Sequence, residues 1–173
     1  FMADSQFSRP WQPEKKEAEK PLKVGVVGSG PGGLTAALRL AQKGYQVTVY
    51  EKLPIPGGMM SVGIPDYRLP TAALMSEIDS IVAAGVEIKC NTALGADFNL
   101  DDLFERERCN AIVLAIGAHK SRKLGVPGEE KTGVLHGTDF LRAVGLVQRA
   151  AGSPDLLPDV AGKKVAVVGG GNV

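Results

Sequence analysis

Val24-Gly25-Val26-Val27-Gly28-Ser29-Gly30-Pro31-Gly32-Gly33-Leu34-Thr35-Ala36-Ala37-Leu38 decides the fold of this chain. The stretch reads as a buried strand, a glycine turn and a helix. Gly28, Gly30 and Gly33 fit the dinucleotide fingerprint G-x-G-x-x-G. Gly28 makes the tight turn out of the strand. Gly30 has no side chain, so a pyrophosphate can approach the backbone. Gly33 lets the helix sit close to the sheet. The helix start offers unpaired N–H groups and positive dipole charge to an anion. Pro31 suits the first turn, where its missing N–H is not needed.

The surrounding pattern supports the fingerprint. A helical period (Leu34, Leu38, Ala41) runs to Gly44, a good helix stop. A short β-rich stretch follows, Gln46-Val47-Thr48-Val49-Tyr50. It ends in Glu51, roughly 20 residues beyond the glycines, where this unit places the acid that grips a ribose. The competing reading, a glycine turn with no ligand, has this whole context against it. Glu51 also argues against a 2′-phosphate at this site, because like charges would meet.

The chain has 173 residues, net charge +1 and 44% hydrophobic residues, which suits a soluble globular domain with one sizeable core. Near-neutral charge gives no reason to expect nucleic acid or an anionic membrane as partner. No apolar run reaches the ~20 residues of a membrane helix, and no signal-peptide pattern is seen. Cys90 and Cys109 form no C-x-x-C, so a redox pair and a cysteine-ligated cluster are both unsupported. Both thiols are expected to be packed in the core. No metal ligand set is found. A cytoplasmic location is the default expectation.

Outward from the opening unit, residues 1–21 read as a tail or linker, with three prolines and a charged run. Lys52 to Pro70 holds four prolines and three glycines without a clean period. Its length points to a functional loop and its apolar content argues against disorder. Gly57-Gly58 can bring backbone N–H groups against a flat ring or a phosphate, and Arg68 can reach a phosphate or simply be solvated. Thr71 to Ala84 reads as a helix with Leu74, Ile78, Ile81 and Val82 on one face, stopped at Gly85. Val86 to Cys90 alternates as a strand, and Leu100 to Arg108 is a short charged helix. Ala111 to Gly117 is a fully apolar strand of the kind buried in parallel sheets, which puts Gly117 at the ligand crevice. His119 is either a proton donor or, more in keeping with its position, an exposed loop histidine. His136 reads as exposed too. Thr138 to Ala151 is a helix with Phe140, Val144 and Val147 on one face. The opening pattern then returns in Lys163 to Val173, where a strand runs into Gly169-Gly170-Gly171-Asn172.

Two glycine fingerprints suggest a flavoprotein with two dinucleotide domains. Gly28–Gly33, Glu51-Lys52, Gly57-Gly58-Met59, Gly63-Ile64-Pro65-Asp66-Tyr67-Arg68-Leu69-Pro70, Ala115-Ile116-Gly117-Ala118-His119-Lys120 and Gly169-Gly170-Gly171-Asn172-Val173 resemble the glutamate synthase small-subunit family. Its flavin module is shared with dihydropyrimidine dehydrogenase and electron-bifurcating ferredoxin:NADP oxidoreductases. The resemblance runs from Leu22 to Val173, and the Gly63–Pro70 stretch is its specific part.

The resemblance implies an α/β fold: a Rossmann-like FAD-binding domain with a parallel sheet, plus the first strand of a second, NAD(P)-binding domain. The implied divisions are residues 22–137 for an incomplete FAD domain, 138–162 for a connecting helix and loop, and 163–173 for the start of the NAD(P)H domain. The resemblance places Gly28, Ser29, Gly30, Pro31, Gly32 and Gly33 at the FAD pyrophosphate and Glu51 at the adenosine ribose. It puts Lys52, Gly58 and Met59 along the path to the flavin, and Arg68 at the cofactor. Leu94 falls near the adenine and Gly117 beside the flavin. Gly169, Gly171 and Asn172 would open the site for NADPH or NADH.

The implied reaction is hydride transfer from NAD(P)H to FAD, with electrons passed on to iron–sulfur centres of a partner or another module. No catalytic acid, base or nucleophile is implied. Family members carry cysteine-ligated clusters in an N-terminal module; no such cysteines precede Leu22 here, so none is expected in this chain. The rest of the NAD(P)H domain and the family's return to the FAD domain are expected on further sequence or another chain, so the chain is not expected to be active alone. The alternatives are a non-catalytic FAD-binding structural or docking subunit and a plain NAD-binding dehydrogenase domain. The Gly57–Pro70 loop argues against the last.

Overall fold

The strand, turn and helix form where the sequence places them in the computed structural model, which describes residues 22–170. Strand β1 is Lys23–Val27 and helix α1 is Pro31–Gln42. Then come β2 (Gln46–Tyr50), α2 (Met59–Val62), α3 (Thr71–Ala83), β3 (Val86–Lys89), α4 (Leu100–Glu105), β4 (Ala111–Leu114) and α5 (Gly137–Gln148). The four strands make one parallel sheet in the order β3-β2-β1-β4. Val24 pairs with Val47, and Val27 with Tyr50 on one side and Leu114 on the other. The expected α/β architecture with a parallel sheet is therefore present.

Strand alternation divides the core between the two faces. Val26, Val47, Val49 and Val86 pack with Ala37 and Ala41 of α1 on one face. Val27 and Tyr50 point the other way, onto Leu103 of α4 and Cys109. Leu34, Leu74 and Ile78 join α1 to α3. Helix α4 starts with a reciprocal cap: Asp102 N–H donates to Asn99, and Asn99 N–H to the Asp102 carboxylate. Both cysteines are free; Cys109 is buried and Cys90 half-buried.

Tyr50 links the core to solution pH. Burial first, and the charge of Glu107 second, push its phenol pKa upward from the ordinary value. The folded chain thus keeps this proton at pH values where the unfolded chain has lost it. Stability is therefore expected to fall as pH rises past about 10. Melting curves at rising alkaline pH check this; Tyr50→Phe should flatten the slope that remains after lysine titration is matched.

Four expectations are corrected. Lys52 to Pro70 is not wholly irregular, because Met59–Val62 closes into a helical turn with Ser61 and Val62 buried. The apolar strand expected over Ala111 to Gly117 ends at Leu114 and is not buried. It lies at the sheet edge, and Leu114 is 55% exposed. Among the described residues no strand covers its outer side. The second strand expected from Lys163 is absent among the described residues: Val165, Val167 and Val168 are exposed and unpaired, and a strand needs a neighbour for its backbone groups. Finally, Val82 and Phe140 are exposed rather than core-facing. Helix α5 is seated instead by Gly145, where a Cβ would come within 2.8 Å of Val62 Cα.

Candidate functional site: a glycine crevice at the strand ends

The C-terminal ends of β1, β2 and β4 meet at one crevice, the usual place for a ligand in an open parallel sheet. Its floor is the glycine turn. Gly28 has φ +103°, and a Cβ there would stand 2.4 Å from Ala115 O. At Gly33 a Cβ would stand 1.9 Å from Gly28 O. These two glycines are required by the protein's own packing. Gly30 is different. Its φ of −66° suits any residue, and a Cβ there meets nothing within 4 Å. Gly30 is also the N-cap of α1 and makes no side-chain cap. Pro31 and Gly32 sit exposed in the first turn. The N–H groups of Gly32 and Gly33 have no acceptor within the helix.

Glu51 lies at the end of β2, only 4% exposed. Its Oε2 accepts from Ser29 N at 2.9 Å and Ser29 Oγ at 2.6 Å; its Oε1 accepts from Leu53 N at 2.8 Å. Ser29 in turn takes the Gly57 N–H on both Oγ (3.0 Å) and backbone O (3.1 Å). Gly58 follows at φ +55°, so close that a Cβ would be 2.9 Å from Gly30 Cα. The carboxylate thus ties the glycine turn to the Gly57–Gly58 loop. Oε2 is fully used, while Oε1 has capacity for one more donor.

The other expected residues fall as follows. Lys52 is exposed beside this group. Met59 opens α2 and is half-buried. Gly117 (φ +64°) lies on the exposed loop that leaves β4 past Gly28. Arg68 sits on the exposed turn before α3, where its N–H donates to Pro65 O at 2.9 Å. Leu94 stands apart, half-buried against the Val27–Tyr50 side of the core. Gly169 is exposed with φ +107°, close to the value at Gly28. Gly171 and Asn172 lie outside the described residues.

His119 is the residue the sequence misplaces. It is half-buried, not a free loop histidine, and its Nδ1 is sealed from solvent. Burial first, then the charges of Lys52 and Arg142, push its pKa below the ordinary value, against an upward pull from Glu51. Arg142 Nη2 donates to His119 O at 2.6 Å. An isolated histidine after an apolar strand carries no pattern that reveals such an anchor. Among the described residues, no three His, Cys, Asp or Glu side chains are grouped to hold a metal, and no helix is long and apolar enough to cross a membrane.

Comparisons with known proteins agree with this geometry. The family described as pyridine nucleotide-disulphide oxidoreductase matches residues 22–173. The NADP(+)-dependent formate dehydrogenase subunit beta of Moorella thermoacetica is 43% identical over 96% of this chain and 24% of its own length. The glutamate synthase [NADPH] small chain of Bacillus subtilis is 34% identical over 98% of this chain and 34% of its own. The chain thus spans roughly a quarter to a third of these relatives. Among solved structures, FprA of Mycobacterium tuberculosis in complex with NADPH has a TM-score of 0.59 and 29% identity, over 71% of this chain and 28% of that one. With the glycine turn, the buried acid and the parallel sheet in place, this chain belongs to the pyridine nucleotide-disulphide oxidoreductase family and is related to the glutamate synthase small chain.

Proposed function

We propose that residues 22–137 form the FAD-binding part of an NAD(P)H-dependent oxidoreductase, and that residues 163–173 begin its NAD(P)H site. One observation carries the proposal. Gly28 and Gly33 are glycines because the protein's backbone leaves no room for more, but nothing among the described residues demands glycine at position 30. A ligand that approaches the backbone there supplies the demand. The group fits. The start of α1 presents free N–H groups to a pyrophosphate, and Glu51 Oε1 keeps an acceptor site for a ribose hydroxyl.

FAD, when bound, accepts a hydride from a nicotinamide and releases electrons singly. The chain's own residues position and orient it. Gly57 and Gly58, locked to Ser29 and Gly30, shape the next part of the crevice towards Met59, and Arg68 contributes a cation. The electrons pass to an iron–sulfur partner or module, and the remainder of the NAD(P)H site is supplied by further sequence or another chain. The relatives named as beta and small chains of larger oxidoreductases support this reading.

The test is a visible absorbance spectrum of the purified chain, with denaturation to release and identify any flavin. Bound FAD is expected. Gly30→Ala should melt at the parent temperature yet bind FAD about 100-fold more weakly, which is about 2.7 kcal/mol. An alanine variant that binds FAD as the parent does would overturn the role of Gly30.

A further inference from the structure

We propose that Arg149 is a positioning residue, which holds the Gly63–Pro70 loop, and Arg68 with it, through the carboxylate of Asp66. The consequence for the cofactor rests on the FAD reading of the site. Arg149 caps the C-terminal end of α5, and its side chain is only 6% exposed. Its Nε, Nη1 and Nη2 are all sealed from solvent, and none has a hydrogen-bond partner among the described residues. An arginine stays charged, and a buried charge without a partner is costly. The acid that faces it is Asp66, whose Oδ1 lies 4.0 Å from Arg149 Nη2. That is too long for a hydrogen bond, but the shielded position makes the attraction stronger than in a surface pair. The C-terminal end of α5 favours a cation as well.

Asp66 is tied into the loop from its other side. The same Oδ1 accepts from Thr71 N at 2.8 Å and from Thr71 Oγ1, at the start of α3. These bonds first, with the charge of Arg149 a lesser cause, hold the carboxyl below its ordinary pKa, so Asp66 is charged in neutral solution. Within the loop, the N–H groups of Arg68 and Leu69 both donate to Pro65 O, which makes the turn one unit. Helix α5 therefore meets this part of the chain at Val62 and again at Asp66. At Gly145 a Cβ would stand 2.8 Å from Val62 Cα and 3.1 Å from Ser61 O, so this contact seats α2. Arg149 reaches further, to the loop that carries Arg68. If that loop swings out, the buried cation loses the carboxylate that faces it, and the cost of parting them holds the loop in.

The test is the rate of trypsin cleavage at the Arg68–Leu69 bond of the whole chain, followed by mass spectrometry, together with calorimetric titration of FAD and ADP. Arg149→Met keeps the bulk and removes the charge. Asp66→Asn removes the facing charge, keeps an oxygen for Thr71 and alters an exposed side chain, so it does not disturb the core. Each variant should be cut about tenfold faster at that bond and bind FAD about tenfold more weakly, with ADP unchanged. The two substitutions together should do no more than the stronger one alone, and Arg149→Lys should restore part of the loss. Cleavage and FAD affinity at parent values in both variants sink the proposal and leave the FAD reading standing. ADP weakened as much as FAD means a general loosening of the fold and sinks it too. A parent that binds no FAD, with the faster cut in both variants, removes the FAD reading and keeps Arg149 as the residue that holds the loop.

Discussion

Gly33→Ala is expected to lower the melting temperature by roughly 6–12 °C, the equivalent of about 3 kcal/mol. The new Cβ would stand 1.9 Å from Gly28 O and 3.0 Å from Gly28 C. Both are backbone atoms, so no rotamer change relieves the contact. Either α1 lifts from the sheet or the turn opens. Gly32→Ala is the control. It lies one residue earlier in the same helix, with nothing within 4 Å of its Cβ. There the alanine should raise stability by about 0.5–1 kcal/mol through helix propensity. Thermal melts of the two variants separate packing from propensity on adjacent residues. Equal melting temperatures would mean that α1 does not pack against the turn as closely as the structure has it.

Glu51→Ala is expected to remove about 3 kcal/mol or more of stability and to abolish FAD binding. It strands three donors at once: Ser29 N, Ser29 Oγ and Leu53 N. Each buried donor without a partner costs about 1–3 kcal/mol, less where water enters. Glu51→Gln should lose about half as much, because one amide oxygen still accepts. Ser29→Ala should lose about 1 kcal/mol and loosen the Gly57 contact. Urea denaturation of the three variants gives the ranking. If Glu51→Ala unfolds at the parent midpoint, the carboxylate is not what joins the two loops.

The packing roles of Gly28 and Gly33 and the position of Glu51 could be read from spacing because they follow from local geometry; the hydrogen bonds that make Glu51 a joint between two loops could not. A strand must turn, a helix must approach, and an acid must sit at the next strand's end. The helix stops at Gly44 and Gly85 were legible for the same reason. What the sequence hid depends on neighbours. Ala111 to Leu114 is apolar enough for a central strand, yet its burial depends on what lies beside β4. Val165 to Val168 is likewise wholly apolar and forms no strand among the described residues. Composition gives the capacity to pair, and only a paired edge realises it. The Gly57–Gly58 loop packs on Gly30 through backbone atoms, which leave no side-chain signature. The backbone carbonyl of His119 is held by Arg142, 23 positions further along the chain.

Glu51 also bears on how the ligand preference of such a crevice can be recoded. Position 51 is the obvious target for an engineer seeking to admit a ribose phosphate. Here that carboxylate is a structural joint, so charge reversal at position 51 trades specificity against folding. Lys52, next along the chain and exposed, has no such duty among the described residues. Diversity is better introduced there. Libraries that hold Glu51 constant and vary position 52 should yield far more soluble members than libraries built the other way round.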